Sequence, residues 1–110
     1  MSYWNLKDGV KLVRLLHRAL APHYDVGLCG GVLYTGSSTK DLDVIVYPTQ
    51  SVRFDRDELG RLLLGFGLTR TRTVIELHAG WREYGSRDEK WVEEWDFRGR
   101  RVDVFMLSGQ

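Results

Sequence analysis

One stretch constrains this chain more than any other: Gly30-Gly31-Val32-Leu33-Tyr34-Thr35-Gly36-Ser37-Ser38-Thr39-Lys40-Asp41-Leu42-Asp43-Val44-Ile45-Val46. Residues 24–29 read as a short strand, so a strand runs into a double glycine. Nine residues, 32–40, then separate Gly31 from Asp41. A second strand opens there, carries on over 42–47 and is ended by Pro48. Strand side chains alternate faces, so Asp41 and Asp43 point one way and Leu42, Val44 and Val46 the other. The C-terminal strand, 101–107, repeats the arrangement, with Val102, Val104 and Met106 opposite Arg101 and Asp103. In both strands the polar face turns apolar one step later, at Ile45 and at Phe105. Each acid therefore stands near the start of a strand that is otherwise buried. A carboxylate placed there is costly unless it is paired or binds a cation. Asp103 could find its pair in Arg101 or Arg72.

Three carboxylates converging on one point repel each other, and divalent cations resolve that repulsion. Mg²⁺ prefers carboxylate oxygen together with substrate phosphate. Two such ions about 3.5–4 Å apart can activate an attacking oxygen and steady a leaving phosphate. Gly30 and Gly31 are the complementary part. Lacking side chains, they let backbone N–H groups approach a triphosphate, above all where a short helical turn begins. Ser37, Ser38, Thr39 and Lys40 would add hydroxyl donors and one positive charge.

The remaining segments supply a scaffold. Residues 8–21 read as an amphipathic helix, with Leu12, Leu15, Leu16, Ala19 and Leu20 at helical spacing and Lys11, Arg14 and Arg18 opposite. Asn5 or Asp8 would cap its start, and Pro22 marks its end. His17 reads as a boundary residue. Cys29 reads as a small side chain at a strand end rather than a nucleophile. Gly30 to Ser38 reads as a turn-rich connection. A second helix spans about 55–65, opened by Asp55 with Glu58, buried through Leu59, Leu62, Leu63 and Phe66, and stopped by Gly65 and Gly67. Residues 69–78 alternate as a half-exposed strand, Gly80 to Lys90 as a loop or flap, and 91–97 with 101–107 as a hairpin turning at Arg98-Gly99. The order α-β-β-α-β-β-β predicts an α+β fold, a small mixed β-sheet with helices packed on it. With no repeat or linker, and the chain ending at Gln110 just after its last strand, residues 1–110 are expected to form one domain.

Composition excludes several classes. Apolar residues make up 43% and charged residues 28%, which suits a globular core and argues against disorder. A net charge of +1 creates no field that by itself would draw nucleic acid or a membrane. The lone Cys29 precludes an internal disulfide and fits a reducing compartment. No apolar run nears the ~20 residues of a membrane span, and no signal peptide is legible. A soluble, cytoplasmic protein without membrane contact is expected.

Gly-Gly, nine residues, Asp-Leu-Asp leading Val-Ile-Val, then Val-Asp-Val on a later strand: this combination resembles the nucleotidyltransferase superfamily that includes DNA polymerase beta. Gly30–Pro48 is most similar to its small stand-alone members, the minimal nucleotidyltransferases and related toxin–antitoxin proteins. The resemblance implies a nucleotidyltransferase-like fold. It also implies two Mg²⁺ ions (or Mn²⁺) on Asp41 and Asp43, with Asp103 binding one and helping to deprotonate the acceptor hydroxyl. Gly30 and Gly31 would hold the phosphates of an NTP. Ser37 stands where many relatives carry a basic residue, a role open to Lys40, Arg98, Arg100 or Arg101. The leading expectation is an enzyme moving NMP from an NTP to a hydroxyl of a protein, an RNA or a small molecule. A second is a catalytically inactive module on the same scaffold, acting through a protein partner as an antitoxin or inhibitor. Trp81, Trp91 and Trp95 favour that reading if they form an interface, including a homodimer through the hairpin, and not if they are core. A third is a nucleic-acid binder using Arg70, Arg72, Arg98, Arg100 and Arg101.

Overall fold

A computed structural model describes residues 4–49, 52–73 and 90–107 of the chain. In chain order the elements are β1 (Trp4–Asn5), α1 (Leu6–Leu20), β2 (Tyr24–Cys29), α2 (Gly30–Thr35) and β3 (Ser37–Ser38). They continue with β4 (Leu42–Pro48), α3 (Arg56–Phe66), β5 (Thr69–Thr73), β6 (Lys90–Phe97) and β7 (Arg100–Leu107). The fold is α+β with a mixed five-stranded sheet in the order β2-β4-β7-β6-β5. Strands β4 and β7 are parallel, while the other neighbours are antiparallel. A parallel pair needs a long crossover, which α3, β5 and β6 provide.

The sequence-based order lacks three short elements. The connection from Gly30 to Ser38 is not merely turns: it holds the six-residue helix α2 and the two-residue strand β3. Gly36, at φ +87°, closes α2 in the left-handed conformation, and its N–H donates to the Val32 carbonyl at 2.9 Å. Strand β1 then pairs with β3, Trp4 opposite Ser38 and Asn5 opposite Ser37. The N-terminal segment is thus hydrogen-bonded to the residues that lead into Asp41. Trp4 is buried, its Nε1 donates to the Arg101 carbonyl at 2.8 Å, and the Arg100 guanidinium lies 4.0 Å from its ring centre.

Both long helices form for local reasons. The Asn5 side chain caps α1 by accepting from the Asp8 N–H at 2.8 Å, and the Asp55 carboxylate caps α3 by accepting from Asp57 and Glu58. Gly67 rather than Gly65 ends α3; Gly65 lies within it. Helix α1 buries Leu12, Leu16 and Leu20, but Leu15 and Ala19, assigned above to the apolar stripe, are exposed. The buried line follows four-residue steps, so the two intervening positions rotate outward. Leu59 and Leu63 of α3 join this core, while Leu62 and Phe66 pack at its edge. Opposite the helices stand Leu42, Val44, Val46, Val102, Val104 and Met106 from the two central strands. Burying each of these side chains contributes roughly 1.5–3 kcal/mol. Tyr24 ties the start of β2 to the cap of α3, its hydroxyl accepting from the Asp55 N–H at 3.2 Å.

The alternation in β6 places Glu93 and Trp95 on the core side. Trp95 is fully buried and its Nε1 donates to Glu93 at 3.1 Å, so it is a core residue and not part of an interface. Glu93 is itself fully buried; Arg56 donates to it at 2.7 and 3.0 Å, and Arg70 lies at 3.8 Å. Trp81 and the part of the strand expected over 74–78 lie outside the described residues, as does the loop expected before Lys90 and the side chain of Trp91. No helix of the described residues is long and apolar enough to cross a membrane.

Candidate active site

The parallel pairing of β4 and β7 builds the site. Its register sets Leu42 beside Val102, Asp43 beside Asp103 and Val44 beside Val104. Residues facing each other across a ladder share a face, so the two acids come together on the side away from the core. The antiparallel neighbours extend this row, placing Cys29 of β2 beside Asp43 and Glu94 of β6 beside Asp103. Asp41 precedes β4 by one residue and completes a group with Asp43 and Asp103. One carboxylate oxygen from each of the three lies within 4.8 Å of the other two.

Burial and mutual repulsion govern the charge of this group. Loss of solvent pushes the Asp43 carboxyl up to about 6 from its ordinary 3.8, helped by the negative charges of Asp41 and Asp103. A hydrogen bond from the Gly31 N–H and the nearby Arg101 pull the other way. Asp103 is also raised, first by burial, against the opposing effect of its hydrogen bonds from Arg101. Burial and Asp43 push the Cys29 thiol up to about 11, and its Sγ lies 3.6 Å from the Asp43 carbonyl. Such a thiol is a poor nucleophile.

The double glycine meets the acids directly. Gly30 has φ +71°, and a methyl group added there would overlap the Asp43 carboxylate. Gly31 is open, with nothing within 4 Å of where its Cβ would stand, and its N–H serves the Asp43 carboxylate. The Ser38 hydroxyl accepts from the N–H groups of Lys40 and Asp41 at 3.1 and 3.2 Å, fixing the turn that delivers Asp41. Ser37, Thr39 and Lys40 are exposed on the same connection.

Two further side chains complete the group: Arg101, anticipated above as a pair for Asp103, and Glu94, which escaped the sequence reading. Arg101, two residues before Asp103 and on the same face, holds that carboxylate through Nε at 3.0 Å and a terminal nitrogen at 3.3 Å. The same Nε lies 2.9 Å from Glu94 and 3.8 Å from Asp41. Glu94 is thus a fourth acid at the edge of the group, and only the β6–β7 register reveals it. Among the described residues, the other arginines of the expected basic cluster are engaged separately, and the side chain of Arg72 lies outside those residues. Arg70 serves Glu93 and the Trp95 ring, Arg98 lies over Phe97, and Arg100 pairs with Asp8 at 3.0 Å. A groove of about 590 Å³ along the outer side of α1, lined by Leu6, Val10 and Leu15 among others, contains none of these carboxylates.

The donor set fits hard divalent cations. Three carboxylates within reach of one point, with Asp43 and Asp103 raised by burial and by neighbouring negative charge, match the oxygen preference of Mg²⁺. Gly30 keeps the space around Asp43 clear.

No protein-family model matches the chain, and no curated protein sequence does. The fold, however, is shared with solved structures of the Cid1 poly(U) polymerase. Its complex with Mg and 3′-dATP superposes with a TM-score of 0.60 over 92% of this chain and 30% of the polymerase, at 14% identity. A variant of that enzyme bound to MgATP gives 0.56 over 91% and 30%, at 13% identity. The chain therefore spans about three tenths of the length of these polymerase chains.

Proposed function

We propose that the chain is a metal-dependent nucleotidyltransferase, moving NMP from an NTP to a hydroxyl acceptor that is a protein side chain, an RNA end or a small molecule. One observation carries this reading. The β4–β7 register brings Asp41, Asp43 and Asp103 within 4.8 Å of one another, on a fold shared with a polymerase solved with Mg and nucleotide.

In this reading Asp41 and Asp43 hold two divalent ions, Mg²⁺ or Mn²⁺, and Asp103 holds one of them and helps take the acceptor's proton. Bound there, the ions would neutralise the triphosphate and acidify the attacking hydroxyl. The chain itself supplies position and space. Ser38 fixes the backbone entering Asp41, Gly30 leaves room for the Asp43 carboxylate, and Gly31, its N–H given to that carboxylate, leaves open space in which phosphates would lie. Ser37, Thr39 and Lys40 border that approach, with Lys40 the nearest cation in sequence. Residues 1–110 act as one catalytic domain.

The test is transfer of label from each of the four α-labelled NTPs, with Mg²⁺ or Mn²⁺ and cell extract containing RNA as the acceptor source. Label on a protein or RNA band, absent from Asp41→Asn/Asp43→Asn, supports the enzyme and names its acceptor class. No transfer, together with no divalent-dependent thermal shift from NTP, sinks it.

A second reading has one observation in its favour: Arg101 already supplies a cation among the acids. A scaffold neutralised from within could serve as a non-catalytic module of antitoxin or inhibitor type, acting through a protein partner. That reading predicts no stabilisation of the wild-type chain by Mg²⁺ and NTP.

A further inference from the structure

We infer that Arg101 is the resident counter-ion of the acid cluster and Glu94 its receiving partner, so that this pair sets how tightly Asp41, Asp43 and Asp103 hold a divalent cation. The inference rests on the metal-dependent reading above and concerns regulation of that same site.

Arg101 is committed to the cluster by geometry. It occupies both oxygens of Asp103, Oδ1 at 3.0 Å and Oδ2 at 3.3 Å. A guanidinium engaged with both oxygens leaves each only its remaining lone pair for a cation, beside a fixed positive charge. The guanidinium has no lone pair to share with a metal, and its charge repels one. Arg101 and a divalent ion therefore compete for Asp103.

Glu94 makes the exchange feasible. Its Oε1 lies 2.9 Å from Arg101 Nε, while the Thr71 hydroxyl donates to its Oε2 at 2.8 Å. The same Thr71 oxygen lies 2.9 Å from the Glu94 carbonyl, so its one hydrogen is shared between the two acceptors and ties the residue to β5. The acid is thus held by one oxygen and offers the other to Arg101. Among the described residues the group with ligand atoms within 4.8 Å of one another comprises Asp41, Asp43 and Asp103 without Glu94. Glu94 is accordingly a positioning residue. It receives the guanidinium that Asp103 gives up and acts on the metal through Arg101.

A double-mutant cycle on the full chain separates this role from simple charge or direct ligation. The probe is Mn²⁺ alone, its free fraction read by electron paramagnetic resonance at pH 8. Arg101→Gln should tighten Mn²⁺ binding about tenfold. Glu94→Gln should weaken it about tenfold, because Arg101 is left with only the aspartates. In the Arg101→Gln background, Glu94→Gln should change affinity less than twofold. Arg101→Lys, which keeps the charge but cannot bridge two carboxylates through a planar fork, should weaken binding as Glu94→Gln does. Circular dichroism and thermal melting of each variant in Mn²⁺ establish that it is folded.

Equal loss from Glu94→Gln in both backgrounds would overturn the proposal by making Glu94 a ligand or a distant charge. So would an unchanged or weakened affinity in Arg101→Gln. Wild-type chain that binds no Mn²⁺, or binds it equally as Asp41→Asn/Asp43→Asn, overturns the metal site itself. That failure is seen without any change at Arg101 or Glu94.

Discussion

Replacing Asp43 by asparagine should make the metal-free protein more stable, although it removes a residue at the centre of the site. The carboxyl is pushed up to about 6 from an ordinary 3.8, chiefly by burial and then by Asp41 and Asp103. Protons therefore bind the folded chain more tightly than the unfolded one between these values. The stabilising contribution of protonated Asp43 is complete below pH 3.8 and is lost as pH rises through about 6. At pH 8 the ionised group opposes folding by an upper bound of about 3 kcal/mol, at 1.36 kcal/mol per unit. Asp43 is only partly buried, so solvent screening should leave about 1–2 kcal/mol. Asparagine keeps an oxygen for the Gly31 N–H and removes the charge.

For a domain of this size that gain corresponds to a melting temperature higher by roughly 4–8 °C in EDTA at pH 8. The advantage should shrink when the same pair is melted at pH 5, where wild-type Asp43 is largely protonated. Saturating Mg²⁺ should reverse the order, since only the wild type gains by mass action, about 2.7 kcal/mol at a hundredfold excess over Kd. An Asp43→Asn protein that melts at or below the wild type in EDTA at pH 8 would refute the electrostatic argument. A difference independent of pH would refute it as well.

Other parts of the structure give sharper local expectations. Gly30→Ala should destabilise by about 1–3 kcal/mol in urea titration, because a left-handed backbone and a clash with Asp43 add together, and Mn²⁺ affinity should fall with it. Glu93→Ala should cost about 3 kcal/mol by the same assay, at the low end for a broken buried ion pair, because Arg56 and Arg70 can still reach water. Cys29, with its thiol pushed up to about 11, should react with iodoacetamide at pH 8 about a hundredfold more slowly than an ordinary exposed cysteine. Asp41→Asn should abolish any rise in melting temperature caused by Mg²⁺ with NTP.

Strands and long helices were legible because their signals are local. Period-two alternation places β4 and β7, and β2 spans the same six residues that its sequence suggests. Asp55 announces α3 through a capping preference that acts within three residues. The misses are equally physical. Helix α2 has six residues and buries only Val32, too short to display a period. Strands β1 and β3 are two residues each and exist only as each other's partner. Leu15 and Ala19 fit a 3.6-residue stripe, yet which edge of that stripe turns outward depends on the neighbours of α1.

The site divides along the same line. Asp41 and Asp43 share a face by strand geometry alone, and the nearness of Asp103 follows once β4 and β7 are known to be adjacent, parallel and in register. Glu94 needed one further fact, the pairing of β6 with β7, which sets it beside Asp103 instead of one position away. A shift by one residue would bring Glu93 there and carry Glu94 into the core. That alternative is opposed by Arg56 and Trp95, which hold the Glu93 carboxylate on the helix side through contacts of 2.7–3.1 Å. The buried Glu93 network thus acts at a distance on the acid cluster: by pinning the register of β6, it decides which glutamate faces Arg101. Loosening that network should therefore disturb Mn²⁺ affinity as well as stability, although the Glu93 side chain lies on the opposite face of the sheet from the acid cluster.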